Sequence, residues 1–445
     1  MKRSKKISLV AGVLFIITGA WGWSAEPGTR SQLSTGKQII HERAVRPLNL
    51  WSERIVAAQV GLFYCDNLKG VEEKIKHLAE AGVNTLIIRV FQNRGDRFYQ
   101  FATPQFPSGV YFQTRYAPVV DDILGPVVQI ANRHRLRVFV WMTTRFANYG
   151  FESMDGLGAF LYEFERKQII PAQGFNLFRE EVLTRLEGLY ADLARYPIDG
   201  ILFQDDLILK HNEGFSAEAR RLFFEDHGYL PEPSILYQEI SRDDSGKIRV
   251  SYTDRFWTWA RWKNRRLLVL AERLMNAARR VRPDLRFAIN LYYESVLDPE
   301  KSLAWYSQSL ELARDFSFDY FSIMAYHRQI QEELSLSSME ETLNQFTRLA
   351  EKALEMAGDP TRVLIKVQVV DWEDSTPLPL EETESFLRVV GTKPEIHVAM
   401  VPYQPDLPME KMVRSFRLSR VQAAQGRAPV KPIPIREPHP SFSPE

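Results

Sequence analysis

The chain has 445 residues, of which 45% are hydrophobic and 25% are charged, and this globular composition excludes a disordered protein. Its 57 Lys and Arg residues balance 56 Asp and Glu residues, which excludes the strong basic field of a typical nucleic-acid-binding protein. Cys65 is the single cysteine, so no intrachain disulfide can form and the hydrophobic core must stabilise the fold.

The amino terminus has the pattern of a secretory signal peptide. Four basic residues within the first six precede an apolar run from Ile7 to Ala20, and Gly22 and Ser24 then provide the small residues of a cleavage site. The run is shorter than the ~20 residues of a membrane-spanning helix, which favours a signal peptide at 1–24 over an uncleaved anchor. In both cases the body is exported, so we expect a periplasmic or secreted bacterial protein with a linker at 25–50.

Strand-like apolar runs then alternate eight times with amphipathic helical stretches. In chain order the pairs are Ile55–Gly61 with Val71–Ala81, Asn84–Phe91 with Val119–His134, Leu136–Met142 with Glu181–Tyr196, Gly200–Gln204 with Arg255–Val281, Leu285–Leu291 with Lys301–Arg314, Tyr320–Ala325 with Ser338–Met356, Val363–Val369 with Leu380–Val389, and Ile396–Val401 with Met409–Gln425. Eight alternating units predict a single-domain (β/α)8 TIM barrel over 51–425, with an open doubly wound sheet as the alternative. The Pro-rich segment 426–445 is predicted to be a disordered tail.

Three long segments interrupt the alternation after the second, third and fourth strand candidates. They are Gln92–Ala117, Thr143–Asn176 and Leu207–Val250. All three follow strands, so we expect them on the carboxyl face of the barrel, where catalytic loops lie in this architecture.

The fourth strand candidate ends in two adjacent carboxylates, Asp205 and Asp206. Side chains alternate along a strand, and an inward Gln204 takes Asp206 with it, whereas Asp205 faces the other way unless the strand has already ended. We therefore predict direct chemistry for Asp206 and an orienting role for Asp205. The alternative is that an Asp in this position caps the next helix or turn.

The same alternation groups three polar residues on and just after the fifth strand candidate: Asn290 and Tyr292, which we predict to bind substrate, and Glu294. Glu294 is thus the candidate for the second catalytic carboxylate, and an exposed loop glutamate is the alternative reading. Glu213 is held in reserve for the same role. On the seventh strand, Gln368 is predicted to face inward and to bind substrate.

Other candidate binding residues lie at or near the carboxyl ends of strands. Arg89 interrupts an apolar strand and needs a carboxylate partner in the barrel mouth, for which we expect Asp206. Flat aromatic rings in these positions can stack on sugar faces, although core packing is the alternative for any single ring. The rings concerned are Trp141, Tyr326, Trp372 and Tyr403.

Several signatures are missing from the sequence. The eight histidines form neither a His-x-x-x-His pair nor a His-Glu-x-x-His motif, and phosphate-binding loops and Gly-x-Ser-x-Gly elbows are also missing. We therefore expect no metal and no cofactor. Carboxylate chemistry in a barrel is typical of glycoside hydrolysis.

The segment Ile198-Asp-Gly-Ile-Leu-Phe-Gln-Asp-Asp206 resembles the Phe-Asp-Gly-Ile-Leu-Phe-His-Asp-Asp segment in the carboxy-terminal hydrolase domain of the PgaB family, the periplasmic poly-N-acetylglucosamine deacetylases of biofilm-forming bacteria. The resemblance runs from about Val71 to Asp406. Further similar stretches occur in the same order: Trp259–Lys263, Ser322–Ala325, Val367–Trp372 and Val401–Asp406.

The resemblance implies a (β/α)8 glycoside hydrolase that cuts partially deacetylated β-1,6-linked poly-N-acetylglucosamine, with Asp205 and Asp206 matching the acidic pair of the family. Two departures stand out: Gln204 replaces the histidine of the family, and Lys366 stands where the resemblance implies a glutamate. The amino-terminal deacetylase half of the family, with its Asp and His metal ligands, finds no counterpart in this sequence.

We therefore predict a monomeric, exported, endo-acting hydrolase of an amino-sugar polymer, with the exopolysaccharide export machinery as an expected partner. The alternative is a catalytically inactive barrel that holds the polymer during export, which the departures at Gln204 and Lys366 favour. The sequence leaves open whether the mechanism is retaining, inverting or assisted by the acetamido group of the substrate.

Overall fold

The computed structural model of the protein describes residues 53–151, 153–242 and 248–424. The predicted signal peptide at 1–24, the linker at 25–50 and the tail at 426–445 lie outside these residues. Within the described ranges, no helix has the length and apolar character needed to cross a membrane.

Eight parallel strands close into a barrel, which confirms the (β/α)8 prediction and excludes the open sheet. The strands of the structure are β1 (Val56–Val60), β2 (Thr85–Arg89), β3 (Phe91–Gln92), β4 (Gly109–Val110), β5 (Arg137–Met142), β6 (Gly158–Glu163), β7 (Gln168–Phe175), β8 (Gly200–Phe203), β9 (Tyr237–Arg242), β10 (Ile248–Tyr252), β11 (Arg286–Tyr292), β12 (Tyr320–Ala325), β13 (Val363–Gln368) and β14 (His397–Val401). The barrel order is β1-β14-β13-β12-β11-β8-β5-β2. Each barrel strand overlaps one of the eight predicted strands.

The helices pack around the barrel. They are α1 (Leu68–Glu80), α2 (Leu124–Arg133), α3 (Glu180–Leu193), α4 (Ala217–His227), α5 (Pro233–Leu236), α6 (Asp254–Val281), α7 (Glu294–Leu297), α8 (Pro299–Tyr306), α9 (Leu310–Ala313), α10 (His327–Glu333), α11 (Met339–Met356), α12 (Leu380–Gly391) and α13 (Met409–Ala424). The prediction of one helix over Lys301–Arg314 is wrong. Ser307 adopts a left-handed conformation (φ 51°) and ends α8, because its carbonyl accepts a hydrogen bond from Asn264 Nδ2 at 2.7 Å instead of continuing the helix.

The barrel interior changes character from one end to the other. Apolar side chains such as Phe139, Leu202 and Leu364 fill its lower part. Gly200 is required there, because a Cβ atom at this position would lie 2.3 Å from the ring of Phe139. Polar side chains replace the apolar ones towards the carboxyl ends of the strands, so the functional groups collect at that mouth.

The three long segments after the second, third and fourth barrel strands carry structure of their own. The first contains the antiparallel pair β3–β4, the second the hairpin β6–β7, and the third α4, α5 and the first strand of the hairpin β9–β10. A second hydrophobic cluster lies under the last two segments and buries Tyr162, Phe215, Trp259 and Trp262. The alternation of strand and helix did not predict these hairpins, because their strands are partly exposed and split their apolar residues between two surfaces.

Candidate active site

A cavity of about 1420 Å³ opens at the carboxyl end of the barrel. Barrel strands form its floor, and the long segments that follow β2, β5 and β8 contribute to its walls. Ten of the twelve predicted site residues line it: Arg89, Trp141, Gln204, Asp205, Asp206, Asn290, Tyr292, Tyr326, Trp372 and Tyr403. The other two, Glu294 and Gln368, do not.

Asp206 is held rigidly by the backbone that follows β5. Its Oδ1 accepts hydrogen bonds from the amide and the hydroxyl of Thr144, both at 3.0 Å. Its Oδ2 accepts from the amides of Thr144 and Phe146, both at 2.9 Å. Burial raises the pKa of Asp206 to about 6, although these hydrogen bonds and the charge of Arg145 act in the opposite direction. Because both oxygens are occupied, this carboxyl group is fixed in place.

Asp205 faces the cavity beside Lys366 of β13, whose side chain also lines it. Burial raises the pKa of Asp205 and the neighbouring Asp206 raises it further, whereas Lys366 and a hydrogen bond from Tyr292 oppose the rise. Burial lowers the pKa of Lys366, and Asp205 opposes that change. Lys366 is only 1% exposed, so an ammonium group with little access to water lines the same cavity as the Asp205 carboxyl group.

The exception allowed for Asp205, that the strand has already ended, applies in the structure. Strand β8 ends at Phe203, and residues 204–207 leave the sheet through a turn, so the alternation of side chains does not extend to the carboxylates. Asp205 is half-buried and open to the cavity, whereas Asp206 is only 4% exposed. Of the two carboxyl groups, Asp205 is therefore the more exposed to the cavity, and which of them reacts stays a prediction.

The carboxylate partner of Arg89 is not Asp206. The Nη1 atom of Arg89 lies 3.1 Å from Oδ2 of Asp96, and its Nη2 donates to the carbonyl of Arg97 at 2.8 Å. Asp96 lies seven residues after Arg89 in the chain, and its carboxylate compensates the charge of the arginine. Arg89 therefore stabilises the loop that follows β3 and forms part of the cavity wall.

Glu294 does not lie with the Asp pair, so the structure does not bring the predicted second carboxylate to the site. It begins α7, is 1% exposed, and its Oε1 lies 3.2 Å from Nζ of Lys301. Gln368 is also occupied elsewhere: its Oε1 accepts from the amide of Arg328 at 3.3 Å and its Nε2 donates to the carbonyl of Val370 at 2.9 Å. Both residues hold secondary structure elements together.

Glu213, the reserve candidate, lines the cavity but is bound to Arg145. Two hydrogen bonds of 2.6 and 2.7 Å join the guanidinium to the carboxylate. Burial acts to raise the pKa of Glu213, but the hydrogen bonds and charge of Arg145 hold it below its usual value. Arg145 also donates to the carbonyl of Gln173 at 2.8 and 3.0 Å. Arg145 therefore joins the start of the segment after β5 to strand β7 and to the segment after β8.

Several buried polar atoms on the cavity floor have no hydrogen-bond partner within the described chain. They are Gln59 Oε1, Trp141 Nε1, Gln204 Oε1 and Asn290 Oδ1. Unpaired buried polar atoms are costly, which makes them candidates for contact with a ligand. Gln59 was missed from the sequence, although it interrupts an apolar strand in the same way as Gln204.

Aromatic rings form part of the cavity wall. Trp372 meets Tyr326 edge to face with ring centroids 5.2 Å apart, and Trp141 meets Phe91 in the same way at 5.5 Å. Tyr292 stacks on Tyr306 at 4.1 Å. Their location agrees with stacking on sugar rings, which stays a prediction.

Removal of the Trp372 side chain should weaken substrate binding. An aromatic contact contributes ~0.5–1.5 kcal/mol beyond its buried area, so we expect Trp372→Ala to raise KM about 3- to 10-fold with a smaller change in kcat. Steady-state kinetics on a soluble oligosaccharide measures both constants. Trp257→Ala, on α6 and outside the cavity lining, is the matched control. An unchanged KM for Trp372→Ala would contradict the stacking role.

Within the described part of the chain, no three His, Cys, Asp or Glu side chains are placed to hold a metal ion. The site thus consists of a carboxyl pair, a buried lysine, unpaired amides and aromatic walls. These groups lie at the carboxyl mouth of a closed parallel barrel, and this arrangement places the protein in the class of glycoside hydrolases.

The comparisons with known proteins agree with this class. Residues 69–400 match the family described as "Hypothetical glycosyl hydrolase family 13", and the chain belongs to this family. It is also 27% identical over 333 residues to the poly-beta-1,6-N-acetyl-D-glucosamine N-deacetylase of Escherichia coli K12. That alignment covers 72% of this chain and 45% of the relative, so the chain spans about half the length of this curated relative.

Solved structures share the fold. The PgaB (BpsB) glycoside hydrolase domain from Bordetella bronchiseptica matches with a TM-score of 0.59 and 18% identity, covering 82% of this chain and 97% of that domain. A beta-galactosidase from Marinomonas ef1 matches with a TM-score of 0.53 and 10% identity, covering 83% of this chain and 61% of the other. At these identities the similarity concerns the barrel alone.

Proposed function

We propose that the protein is an exported, endo-acting glycoside hydrolase that cleaves a partially deacetylated poly-β-1,6-N-acetylglucosamine-like polysaccharide. The observation that carries the proposal is the carboxyl pair Asp205–Asp206 at the mouth of the barrel, with both pKa values raised above those of ordinary aspartates. A carboxyl group that keeps its proton near neutral pH is what a general acid in glycoside hydrolysis requires. The printed name of the Escherichia coli relative supports the choice of polymer.

We assign the role of general acid to Asp205, because its carboxyl group is the more exposed of the two: Asp205 is half-buried, whereas Asp206 is only 4% exposed. Asp205 donates its proton to the glycosidic oxygen as the bond to the leaving sugar breaks, and a water molecule then gives its hydroxyl group to the anomeric carbon and its proton back to Asp205. Thr144 and Phe146 fix Asp206 in place. The negative charge of Asp206 beside Asp205 raises the pKa of Asp205. Asp205 thus contributes the proton, and Asp206 adjusts the pKa of Asp205.

The cavity supports cleavage within a chain. Its volume of about 1420 Å³ exceeds the ~300–1,000 Å³ of typical small-molecule sites.

Export is proposed from the basic and apolar amino-terminal pattern of residues 2–20. Mass spectrometry of the mature amino terminus tests it, and a full-length, unprocessed chain in the cytoplasmic fraction would contradict it.

Incubation of the purified protein with partially deacetylated polymer, followed by sizing of the products, tests the hydrolase function. We expect shorter chains of intermediate length to appear first, as internal cleavage requires. The Asp205→Asn variant is the control for contaminating activity. Unchanged chain length at enzyme excess and across pH would contradict the proposed function.

A second candidate function is a binding barrel without catalysis. Lys366 favours it, because this residue stands where the resemblance implies a glutamate. Among the described residues that line the cavity, the carboxylates other than Asp205 are all bound to other protein groups. Polymer embedded in an electrophoresis gel would slow the migration of such a protein, and the length of the polymer would stay unchanged. Binding together with chain shortening excludes this candidate.

The pH dependence of activity should move when Lys366 is replaced. A general acid works while protonated, so kcat/KM should fall as pH rises through the pKa of Asp205. The Lys366 cation lowers that pKa, and Lys366→Met should therefore shift the alkaline limb of the profile to higher pH, by on the order of one unit. The measurement is kcat/KM from pH 4 to about 9 for both proteins. An alkaline limb that stays in place would show that Asp205 is not the acid.

A further inference from the structure

A network of ion pairs connects the two elements that carry Tyr326 and Trp372. Its centre is Arg328, in the first turn of α10. Nε and Nη2 of Arg328 donate to Oε1 and Oε2 of Glu382 at 2.9 and 3.0 Å, and Nη1 donates to Oδ2 of Asp371. One guanidinium group therefore joins α10 to α12 and to the loop that follows β13, because its planar set of donors can bind two carboxylates at once.

The Glu382 end of this network is buried. The Glu382 side chain is 6% exposed, and Nε2 of His327 lies 2.8 Å from its Oε1. His327 is fully buried and stacks on Phe386 of α12, with ring centroids 3.9 Å apart. Burial acts to raise the pKa of Glu382, but the hydrogen bonds of His327 and Arg328 lower it to about 2. Glu382 is therefore a fixed anion that anchors the guanidinium group.

The Asp371 end of the network holds the backbone beside Trp372. Oδ1 of Asp371 accepts a hydrogen bond from the amide of Glu373 at 2.8 Å, while Oδ2 accepts from Arg328. The carboxylate thus closes a turn around Trp372 and ties that turn to Arg328. Tyr326 directly precedes α10, and its ring meets the ring of Trp372 edge to face, with centroids 5.2 Å apart. Arg328 therefore joins the backbone of one ring to the backbone of the other.

The network acts on the cavity without belonging to its lining. Tyr326 and Trp372 line the cavity, whereas Arg328 and Asp371 do not. Hydrogen bonds inside the loop, such as the one from the amide of Asp371 to the carbonyl of Thr376 at 2.8 Å, keep the shape of the loop but do not join it to α10. An effect of Arg328 on a bound sugar must therefore act through the neighbours that it holds in place.

We propose that Arg328 is a positioning residue for substrate binding: it holds the ring of Trp372 against the ring of Tyr326, the arrangement in which the pair receives a sugar unit. The inference rests on the proposed function for the nature of the ligand, whereas the position of Trp372 can be measured without a ligand. Lysine is not expected to replace Arg328, because a compact ammonium group lacks the planar donors that bind Glu382 through two nitrogen atoms and Asp371 through a third.

Near-ultraviolet circular dichroism of the intact chain tests the position of Trp372, since this signal depends on the fixed packing of aromatic rings. We expect Arg328→Met to change the spectrum, and we expect that change to vanish in the Trp372→Phe background. Arg273→Met is the matched control and should leave the contribution of Trp372 unchanged. Arg273 has the same 34% side-chain exposure and also binds two carboxylates, those of Glu180 and Glu187, but it lies on α6 outside the cavity lining.

Calorimetric titration with a soluble, partially deacetylated β-1,6-linked oligomer measures the consequence for binding. Arg328→Met should weaken binding about 3- to 10-fold, as the loss of the Trp372 ring does, and Arg328→Lys should not restore it. In the Trp372→Ala background, Arg328→Met should have no further effect, because the ring through which it acts is already missing. Equal losses in both backgrounds would overturn the inference, and so would a spectrum in which the contribution of Trp372 is unchanged.

Thermal unfolding of each variant shows whether it folds, and Asp371→Asn replaces Arg328→Met if that variant does not. An asparagine has one acceptor oxygen and cannot accept from both Glu373 and Arg328, so the same Trp372-dependent spectral change is expected while the Arg328–Glu382 pair remains. Failure of the proposed function gives a different result: the polymer keeps its length with the unmodified protein, while the spectra and the affinities of the variants still report on Arg328.

Discussion

Asp205→Asn is expected to reduce kcat/KM by about 10²–10⁴-fold, the usual contribution of a general acid. The loss should fall on kcat with little change in KM, because the proton is needed only as the glycosidic bond breaks. Asp206→Asn is expected to reduce activity by a similar factor for a different reason. Its amide would place a donor against the backbone donors of Thr144 and Phe146, which now point at the carboxylate.

The two variants should therefore differ in stability. Asp206→Asn leaves buried donors unpaired and should lower the thermal unfolding midpoint, whereas Asp205→Asn should lower it much less. Initial rates on soluble oligomer and thermal unfolding curves measure both effects. Asp315→Asn, an exposed carboxyl in the turn that precedes β12, is the control. If Asp205→Asn keeps more than a tenth of the activity, another group supplies the proton.

Glu213→Ala is expected to lower the free energy of unfolding by about 3–5 kcal/mol, because removal of one partner leaves a buried charge uncompensated. Arg145 and Glu213 are 3% and 7% exposed, so water cannot replace the lost carboxylate. The loops that Arg145 joins should also lose order, and activity should fall with them.

Urea unfolding followed by tryptophan fluorescence measures the change in free energy. The control is Glu410→Ala, which breaks the pair between Glu410 and Arg414 on α13. Those two side chains are 67% and 65% exposed, and exposed pairs contribute only ~0–1 kcal/mol. A loss for Glu213→Ala no larger than that of the control would show that the Arg145–Glu213 pair does not hold the cavity wall.

The barrel could be predicted because its strands are buried on both faces. Such strands read as short apolar runs, and eight of them alternate with amphipathic helices whose 3.6-residue period is strong. The break at Ser307 was not predictable, because it depends on a hydrogen bond from Asn264, which lies 43 residues earlier in the chain. Periodicity within Lys301–Arg314 carries no trace of that contact.

The location of the site was predictable, but its pairings were not. Alternation identified Gln204, Asn290 and Tyr292 as cavity residues because they belong to, or directly follow, regular strands. It does not apply to Asp205, which lies one residue beyond Gln204 in the turn after β8. Asp205 and Lys366 line the same cavity because the sheet closes into a barrel in which β8 and β13 are separated by β11 and β12, and no local pattern encodes that closure.

The three consecutive residues Thr144, Arg145 and Phe146 bind both ends of the segment from Asp206 to Glu213. The Asp205–Asp206 pair and the base of the cavity wall are therefore one mechanical unit, and the outer part of the β6–β7 hairpin is not needed to build it. Insertions or deletions at the hairpin turn between Glu163 and Gln168 should change the part of the cavity wall that the hairpin forms without moving Asp206. Such a division lets substrate preference diverge among homologous proteins while the chemistry stays constant.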